Sequence, residues 1–352
     1  MFMPVHLRFI SLFNTGALLA VFACYSSGNA LARTVEVAGF PQLLAACQSA
    51  LPGDEIILAK GIYKIHGKSR ILIENRPGPI TVRGATGTPS DVIVEGAGQD
   101  DESVGMIFDL TDSPQWTFRD LTTRNSYHHG FKFNAGSTAC VLRHVTMRDH
   151  GESGVKGTSD PEKGVYPDGL LVENCDIGFT KPTGGTRPVV EGIDGVAVKG
   201  WVIRNNRFLN IQKSAGPAYA VFTKGNSLET LIEGNRFENC FIGASFGGGG
   251  TDPRFFRDHD QSCEHRWGTI RNNLFLRCTD AAIYINKGNT CTINGNRLID
   301  CALNIQLRYP ESTGTVKNNL VKNLAAEPII RTRDGAILLA DEGNRLVQDL
   351  KE

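Results

Sequence analysis

One phrase recurs along this chain, and it limits the fold more than any other feature. WVIRNNRFLNI (201–211), TLIEGNRFENC (230–240), GTIRNNLFLRC (268–278), CTINGNRLIDC (291–301) and GTVKNNLVKNL (314–324) share a central asparagine while their flanks drift. Aligned on that position, the series reads Leu121, Val145, Cys175, Asn206, Asn235, Asn273, Asn296 and Asn319, at spacings of 24, 30, 31, 29, 38, 23 and 23 residues. A unit near 23 residues that accepts insertions without losing its phrase is the mark of stacked repeats. Within the phrase, apolar Ile203 and Ile232 precede charged Arg204 and Glu233, and Phe208 and Phe237 stand two residues after the asparagine. That alternation belongs to a strand and not to a helix. The leucine-dense consensus of leucine-rich repeats is missing. Each coil is therefore expected to hold short strands separated by turns, paired with the next coil at about 4.8 Å. The asparagine suits a left-handed turn, and its side-chain amide can bond the asparagine of the next coil.

These phrases resemble the right-handed parallel β-helix of the pectate lyase-like superfamily over nearly the whole chain beyond its first thirty-odd residues. LPGDEIILAKGIYKI (51–65) is similar to the entry coil of that superfamily, and GFPQLLAACQSA (39–50) to its N-terminal capping helix. GNRFENC (234–240), FGGGG (246–250) and RTRDGA (331–336) resemble segments of a broad set of secreted bacterial β-helix proteins. The resemblance implies an all-β fold, a right-handed parallel β-helix (solenoid) with an N-terminal capping helix. It leaves the activity open, because the superfamily contains lyases, hydrolases, epimerases, tailspikes and adhesins.

A weakly basic start (His6, Arg8), the apolar run ALLAVFAC (17–24) and the small-residue site Ala30-Leu31-Ala32 read as a secretory signal peptide over 1–32. Residues 33–352 are then expected to form one β-helix domain, and 41% hydrophobic side chains suffice for its core. A secreted or periplasmic location follows. Lipoprotein anchoring at Cys24 is the weaker alternative, since Phe22 stands where a small residue is expected. Without the leader, 36 Lys and Arg face 37 Asp and Glu. Net charge therefore names no partner and gives no reason to expect nucleic acid; any pull on a charged polymer comes from arrangement. No later apolar run is long enough to cross a membrane, and a monomer is expected. Cys240, Cys278 and Cys301 fall five residues after the aligned asparagine, where Ile211 and Leu324 stand in other coils, so they form an inward column. Buried thiols, or one disulfide between neighbouring coils, both fit that column. There is no Cys-x-x-Cys pair to suggest structural zinc.

A second strand precedes each phrase: HGFKFN (129–134), GVKGT (154–158), GVAVKG (195–200), AVFTKG (220–225), GASFGG (243–248), AIYINKG (282–288) and NIQLRYP (304–310). With Val196, Val198, Val221, Thr223, Ile283, Ile285, Ile305 and Leu307 inward, alternation sends two columns outward. One reads Asn134, Thr158, Lys199, Lys224, Gly247, Asn286, Arg308, and the other Lys132, Lys156, Ala197, Phe222, Ser245, Tyr284, Gln306. The expected face is basic and free of carboxylates. Lys199 above Lys224 is unusual, because stacked like charges repel, and crowding favours the neutral amine that a general base needs. The ordinary alternative is that the lysine stems cover the solenoid and their heads splay into solvent.

The 38-residue spacing contains the insertion GGGGTDPRFFRDHDQSCEHRWG (247–268), which brings Arg257 and His259 over this face. Asp168, Glu191 and Asp194 are the acidic residues nearby, and hard oxygen ligands of this kind can bind Ca²⁺. Asp-Gly is equally ordinary turn chemistry.

Three functions compete. In a lyase, cationic side chains neutralise a uronate carboxylate, a base removes the C5 proton and the C4 oxygen leaves by β-elimination. Lys132, Lys156, Phe222, Tyr284, Asn286 and Arg257 are then the residues that hold an acidic polysaccharide, with Lys199, Lys224, Arg308 and His259 as the catalytic candidates. In layout the chain is most similar to the chondroitinase B and alginate lyase group. That resemblance implies Lys224 as the base and Arg308 as the partnering arginine. The calcium ligands of that group have no counterpart before Lys224, where SAGPAYAVF (214–222) stands. A glycosidase needs two carboxyl groups flanking the scissile bond, roughly 5–10 Å apart, and a C5-epimerase shares the first half of the lyase chemistry. A binding or scaffold protein would hold the same glycan without cutting it.

Overall fold

The computed structural model describes residues 32–182, 186–213, 215–248, 250–323 and 327–350. Apart from Ala32, the leader lies outside them, as does Leu324 of the inward column. Residues 32–352 form one compact unit.

The repeated phrase folds as two short strands broken at its centre, as in Val202–Arg204 with Arg207–Leu209 and Leu231–Glu233 with Arg236–Glu238. Successive copies pair in parallel, residue for residue: Ile203 with Ile232, and Phe208 with Phe237. The aligned asparagines form the expected ladder. Asn235 Oδ1 accepts from the backbone N (2.9 Å) and Nδ2 (3.0 Å) of Asn206, and Asn273 receives the same pair from Asn235. Asn296, Asn319 and Asn344 continue it. The left-handed backbone falls one residue earlier than expected, on Asn205, Gly234, Asn272, Gly295 and Asn318. Two jobs are thus shared by two neighbours: the first takes the positive φ, and the second turns its amide into the ladder.

The second strands form a ten-stranded parallel sheet. In chain order they are β1 (Ile71–Glu74), β2 (Met106–Thr111), β3 (His129–Asn134), β4 (Ser153–Thr158), β5 (Val190–Val196), β6 (Ala218–Lys224), β7 (Ile242–Phe246), β8 (Ala281–Asn286), β9 (Leu303–Arg308) and β10 (Ile330–Arg333). Each coil returns to this sheet one strand further on, which makes the unit a parallel β-helix. Inward side chains of neighbouring coils stack, Phe208, Phe237 and Phe275 at ring separations of 4.8 and 4.6 Å. Aligned aromatic stacks of this kind contribute beyond the area they bury. Helix α1 (Phe40–Ser49) buries Leu43, Ala46 and Cys47 against the first coils and so closes the core. Each of the eight described cysteines is a buried free thiol, including Cys240, Cys278 and Cys301, so the inward column holds thiols and no disulfide. No described helix is long and apolar enough to cross a membrane.

Candidate functional site

The outward face of the ten-stranded sheet carries two rows. By register one reads Asp109, Lys132, Lys156, Asp194, Phe222, Ser245, Tyr284, Gln306. Along the other, Asn134 pairs with Thr158, Val196 with Lys224, and Asn286 with Arg308. Apart from Gly247, which lies just past the end of β7, the expected positions appear except in one coil. There the strand is VEGIDGV, not GVAVKG, and the alignment moves by three residues: Asp194 takes the place given to Ala197, and Val196 that given to Lys199. Ala197 adopts φ +57° and turns the chain out of the sheet, which places Val198 in the core and Val196 outward. Lys199 consequently does not stack on Lys224. It bridges to Leu228 around the corner, is half exposed and faces Glu229 at 3.6 Å.

The correction changes the electrostatics. Asp194 is 1% exposed and sits between two lysines: Lys156 is ion-paired with its Oδ2, and Lys224 Nζ lies 4.0 Å from the same oxygen. The cationic neighbour of Lys224 is therefore Lys156 and not Lys199, and a carboxylate stands between the two. Lys224 also lies 4.3 Å from the centre of the Phe222 ring, which stacks on Tyr219. Burial alone would lower the Lys156 ammonium, but Asp194 and Glu191 outweigh it and hold its pKa up. The face is therefore not free of carboxylates, as Asp109, Asp194 and Glu191 all belong to the sheet.

Glu191 lies next to Asp194 on β5, in register with Ser153 and Tyr219. It is 4% exposed, and its Oε2 has no hydrogen-bond partner. Burial, then the Asp194 charge, pushes its pKa well above the usual carboxylate range. Beside it His129 Nδ1 and Ser153 Oγ are 2.8 Å apart, and burial holds the imidazole neutral. Sequence reading missed His129 and Ser153. Their signal was the position three residues before Lys132 and Lys156, which alternation alone assigns to the opposite face.

The insertion forms one wall. Gly250, Thr251, Asp252 and Phe255 face Lys156, Thr158, Val196 and Lys224 across a cleft of about 300 Å³. A second hollow, about 380 Å³, shares Thr158 and Phe255 and runs on past Asn134 to Thr111, with Asp160, Glu162 and Arg254 at its edge. Arg257 does not reach the cleft. It is buried, donates to Ala197 O (3.1 Å) and to Asp168, and lies 3.7 Å over the Tyr166 ring, so it fastens the insertion. Glu264 ties the same wall down by accepting from Gly225 N and Thr251 Oγ1, both at 2.8 Å. Close packing explains a glycine here: a Cβ on Gly248 would stand 2.2 Å from the Phe222 ring. His259 is exposed on a turn with φ +56° and is not among the cleft residues.

Asp168, Glu191 and Asp194 do not assemble into a metal cage. Asp168 is held by Arg257 and Lys199 N, Asp194 by Lys156, and no described group of three His, Cys, Asp or Glu residues converges on a metal-sized site. Arg308 lies on β9, three strands beyond Lys224, or about 14 Å at the usual strand spacing. It is bonded to Asp334 at 2.6 Å. The two residues carried over as an acid–base pair thus stand three strands apart, with Arg308 tied to Asp334. Tyr284 and Asn286 stand together near Arg308, with Asn286 Nδ2 3.2 Å from the Tyr284 hydroxyl. Lys132 extends the basic row next to Lys156.

Residues 192–349 match the family model described as the right handed beta helix region. No curated protein matches the chain in sequence. Among solved structures it is similar to an alginate lyase from Paenibacillus sp. str. FPU-7, at 17% identity over 87% of this chain and 99% of that one, with a TM-score of 0.60. It is similar also to an endo-xylogalacturonan hydrolase from Aspergillus tubingensis (10% identity, 89% and 92% covered, TM-score 0.63). A third is the mannuronan C-5 epimerase A-module of Azotobacter vinelandii (12%, 88% and 97%, TM-score 0.54). At these identities the likeness is one of fold. The chain is a right-handed parallel β-helix protein.

Proposed function

We propose that this protein binds an acidic, uronic-acid-containing polysaccharide along the outer face of its ten-stranded sheet and breaks it by β-elimination. The observation that carries the reading is the pair Lys156 and Lys224, two cations converging on one buried carboxylate at the floor of a walled cleft. Lys156, ion-paired with Asp194, presents its remaining N–H donors to a single uronate carboxylate, and Lys224 reaches the same cleft. Neutralising that carboxylate acidifies the C5 proton. Lys156 is locked to Asp194 and serves as the fixed cation, whereas Lys224 has no bond shorter than 4.0 Å to Asp194 and can turn to the sugar. Lys224 as the free amine takes the C5 proton, the C4–O bond breaks as the C4–C5 double bond forms, and the same group returns the proton to the leaving oxygen.

Glu191 and Asp194 lie on one strand and do not by themselves flank a glycosidic bond from both sides. A specific observation keeps a second reading in view: Arg308 stands about three strands from Lys224, as a surface that only binds would allow. The leader read over 1–32 fits either reading, with the polymer met outside the cytoplasm. The test is incubation with a panel of uronic-acid polymers while following ultraviolet absorbance of the unsaturated product. Activity lost in Lys224→Ala with little change in Tm supports the proposal, and equal turnover by that variant removes Lys224 from the mechanism. Binding without product selects the second reading.

A further inference from the structure

Stacked like charges, which a plain structural surface avoids, do occur on this face, at its far end and not at Lys199. Arg308 on β9 and Arg333 on β10 are in register, and both turn outward because Ile305 and Leu307 point into the core. Two guanidinium groups so placed repel. They share one carboxylate. Asp334 bonds Arg308 at 2.6 Å, while Arg333 is exposed and makes no ion pair among the described residues. The bond from Arg308, helped by the charge of Arg333, holds the Asp334 carboxyl below its usual range. The coil corner adds a third cation. Lys287 faces Glu311 at 3.6 Å and lies 5.6 Å from the centre of the Tyr309 ring, which Arg308 covers at 4.6 Å. Lys287, Tyr309 and Asp334 all take the left-handed backbone of that corner, at φ +61°, +75° and +51°. Glycine or asparagine would adopt it at less cost than tyrosine, so a tyrosine there points to a use for its ring, and this ring carries two cations.

We propose that Arg308 and Arg333 form a second anion subsite, which takes a further carboxylate of the polymer held at Lys156 and Lys224. The inference rests on the reading of the Lys156–Lys224 cleft as the uronate site. A guanidinium offers a carboxylate two parallel N–H donors, and an anion between the two arginines relieves their repulsion. Arg333 is exposed and Arg308 partly so, which leaves their donors open to a ligand. β9 and β10 lie three and four strands beyond β6, or about 14–19 Å, so one chain laid across the coils occupies both subsites. The polymer then carries at least two carboxylates that far apart, and a fragment too short to span the interval binds through the cleft alone.

The test measures the affinity of the intact protein for polygalacturonate, polymannuronate and hyaluronan over a range of salt concentrations, in the wild type, Arg333→Gln and Lys224→Ala. On a polymer that binds, Arg333→Gln is expected to lower the affinity about fivefold, the upper end for an exposed ion pair, and to make binding less sensitive to salt. Its Tm should not fall, because the substitution removes a like-charge contact. Unchanged affinity in Arg333→Gln, or a loss that keeps the salt dependence of the wild type, overturns the second subsite. The cleft is judged separately, by whether Lys224→Ala weakens binding of the same polymer. If none of the three polymers binds the wild type, the reading of the cleft fails and this inference fails with it.

Discussion

The Asp194 carboxylate is buried between two lysines, and Glu191 beside it carries a bare oxygen, so the protonation of Glu191 bears on the charge of the cleft. Groups facing Glu191 are Asp194, Lys156, Glu152 and Lys224, with Tyr219 and Ser153 in register on either side. Its folded pKa is raised, so the folded state holds a proton that the unfolded chain releases near pH 4.5. Stability from this residue is complete below that pH and is lost as pH rises toward the folded pKa, at about 1.4 kcal/mol per unit of elevation. Glu191→Gln is expected to flatten the fall in Tm above pH 5, as read by thermal melts across a pH series. An unchanged slope would show that Glu191 ionises without penalty. The same residue pair shows what a linear reading misses: IDG at 193–195 looks like turn chemistry, yet Asp194 and Gly195 lie within β5 because the chain turns only at Ala197.

Among the elements, the asparagine ladder was the most legible, since one side chain repeated at the coil period has few other uses. Asn273 is 1% exposed, donates to Ile232 O and Asn296 Oδ1, and accepts twice from Asn235. Asn344 accepts the same pair from Asn319 at the end of the ladder, where it is partly exposed. Asn273→Ala strands buried groups on both sides and should cost about 2–4 kcal/mol, whereas Asn344→Ala, open to water, should cost under about 1 kcal/mol. Urea denaturation of the two variants checks the difference, and equal losses would mean that the ladder bonds contribute nothing specific. The insertion was legible as an interruption but its parts were not. Arg257 carries charge for a buckle under the wall, and Thr251 and Phe255, unremarkable in sequence, face the cleft.

For the compact unit as a whole, stability is a sum of neighbouring coil contacts closed at one end by α1. Leu43 is fully buried in that helix. Leu43→Ala is expected to cost about 2–5 kcal/mol and to be felt locally. Hydrogen exchange should quicken in Thr34–Val37, Glu55–Leu58 and β1 while β6 to β9 stay protected. Uniform acceleration along every strand would show a single cooperative core instead. The basic cleft belongs to this scale too, since Lys156, Asp194 and Lys224 come from three coils and Thr251 from an insertion in a fourth.

Linear order was enough to establish the coil, its period, the inward columns and the cap, because stacking imposes the same demands on every turn and each leaves its residue type at a constant offset. It could not place the counter-ion between the lysines or draw Arg257 away from the cleft. Those depend on where one irregular coil leaves the sheet and on how the insertion folds back on it, contacts that exist only once the coils are stacked.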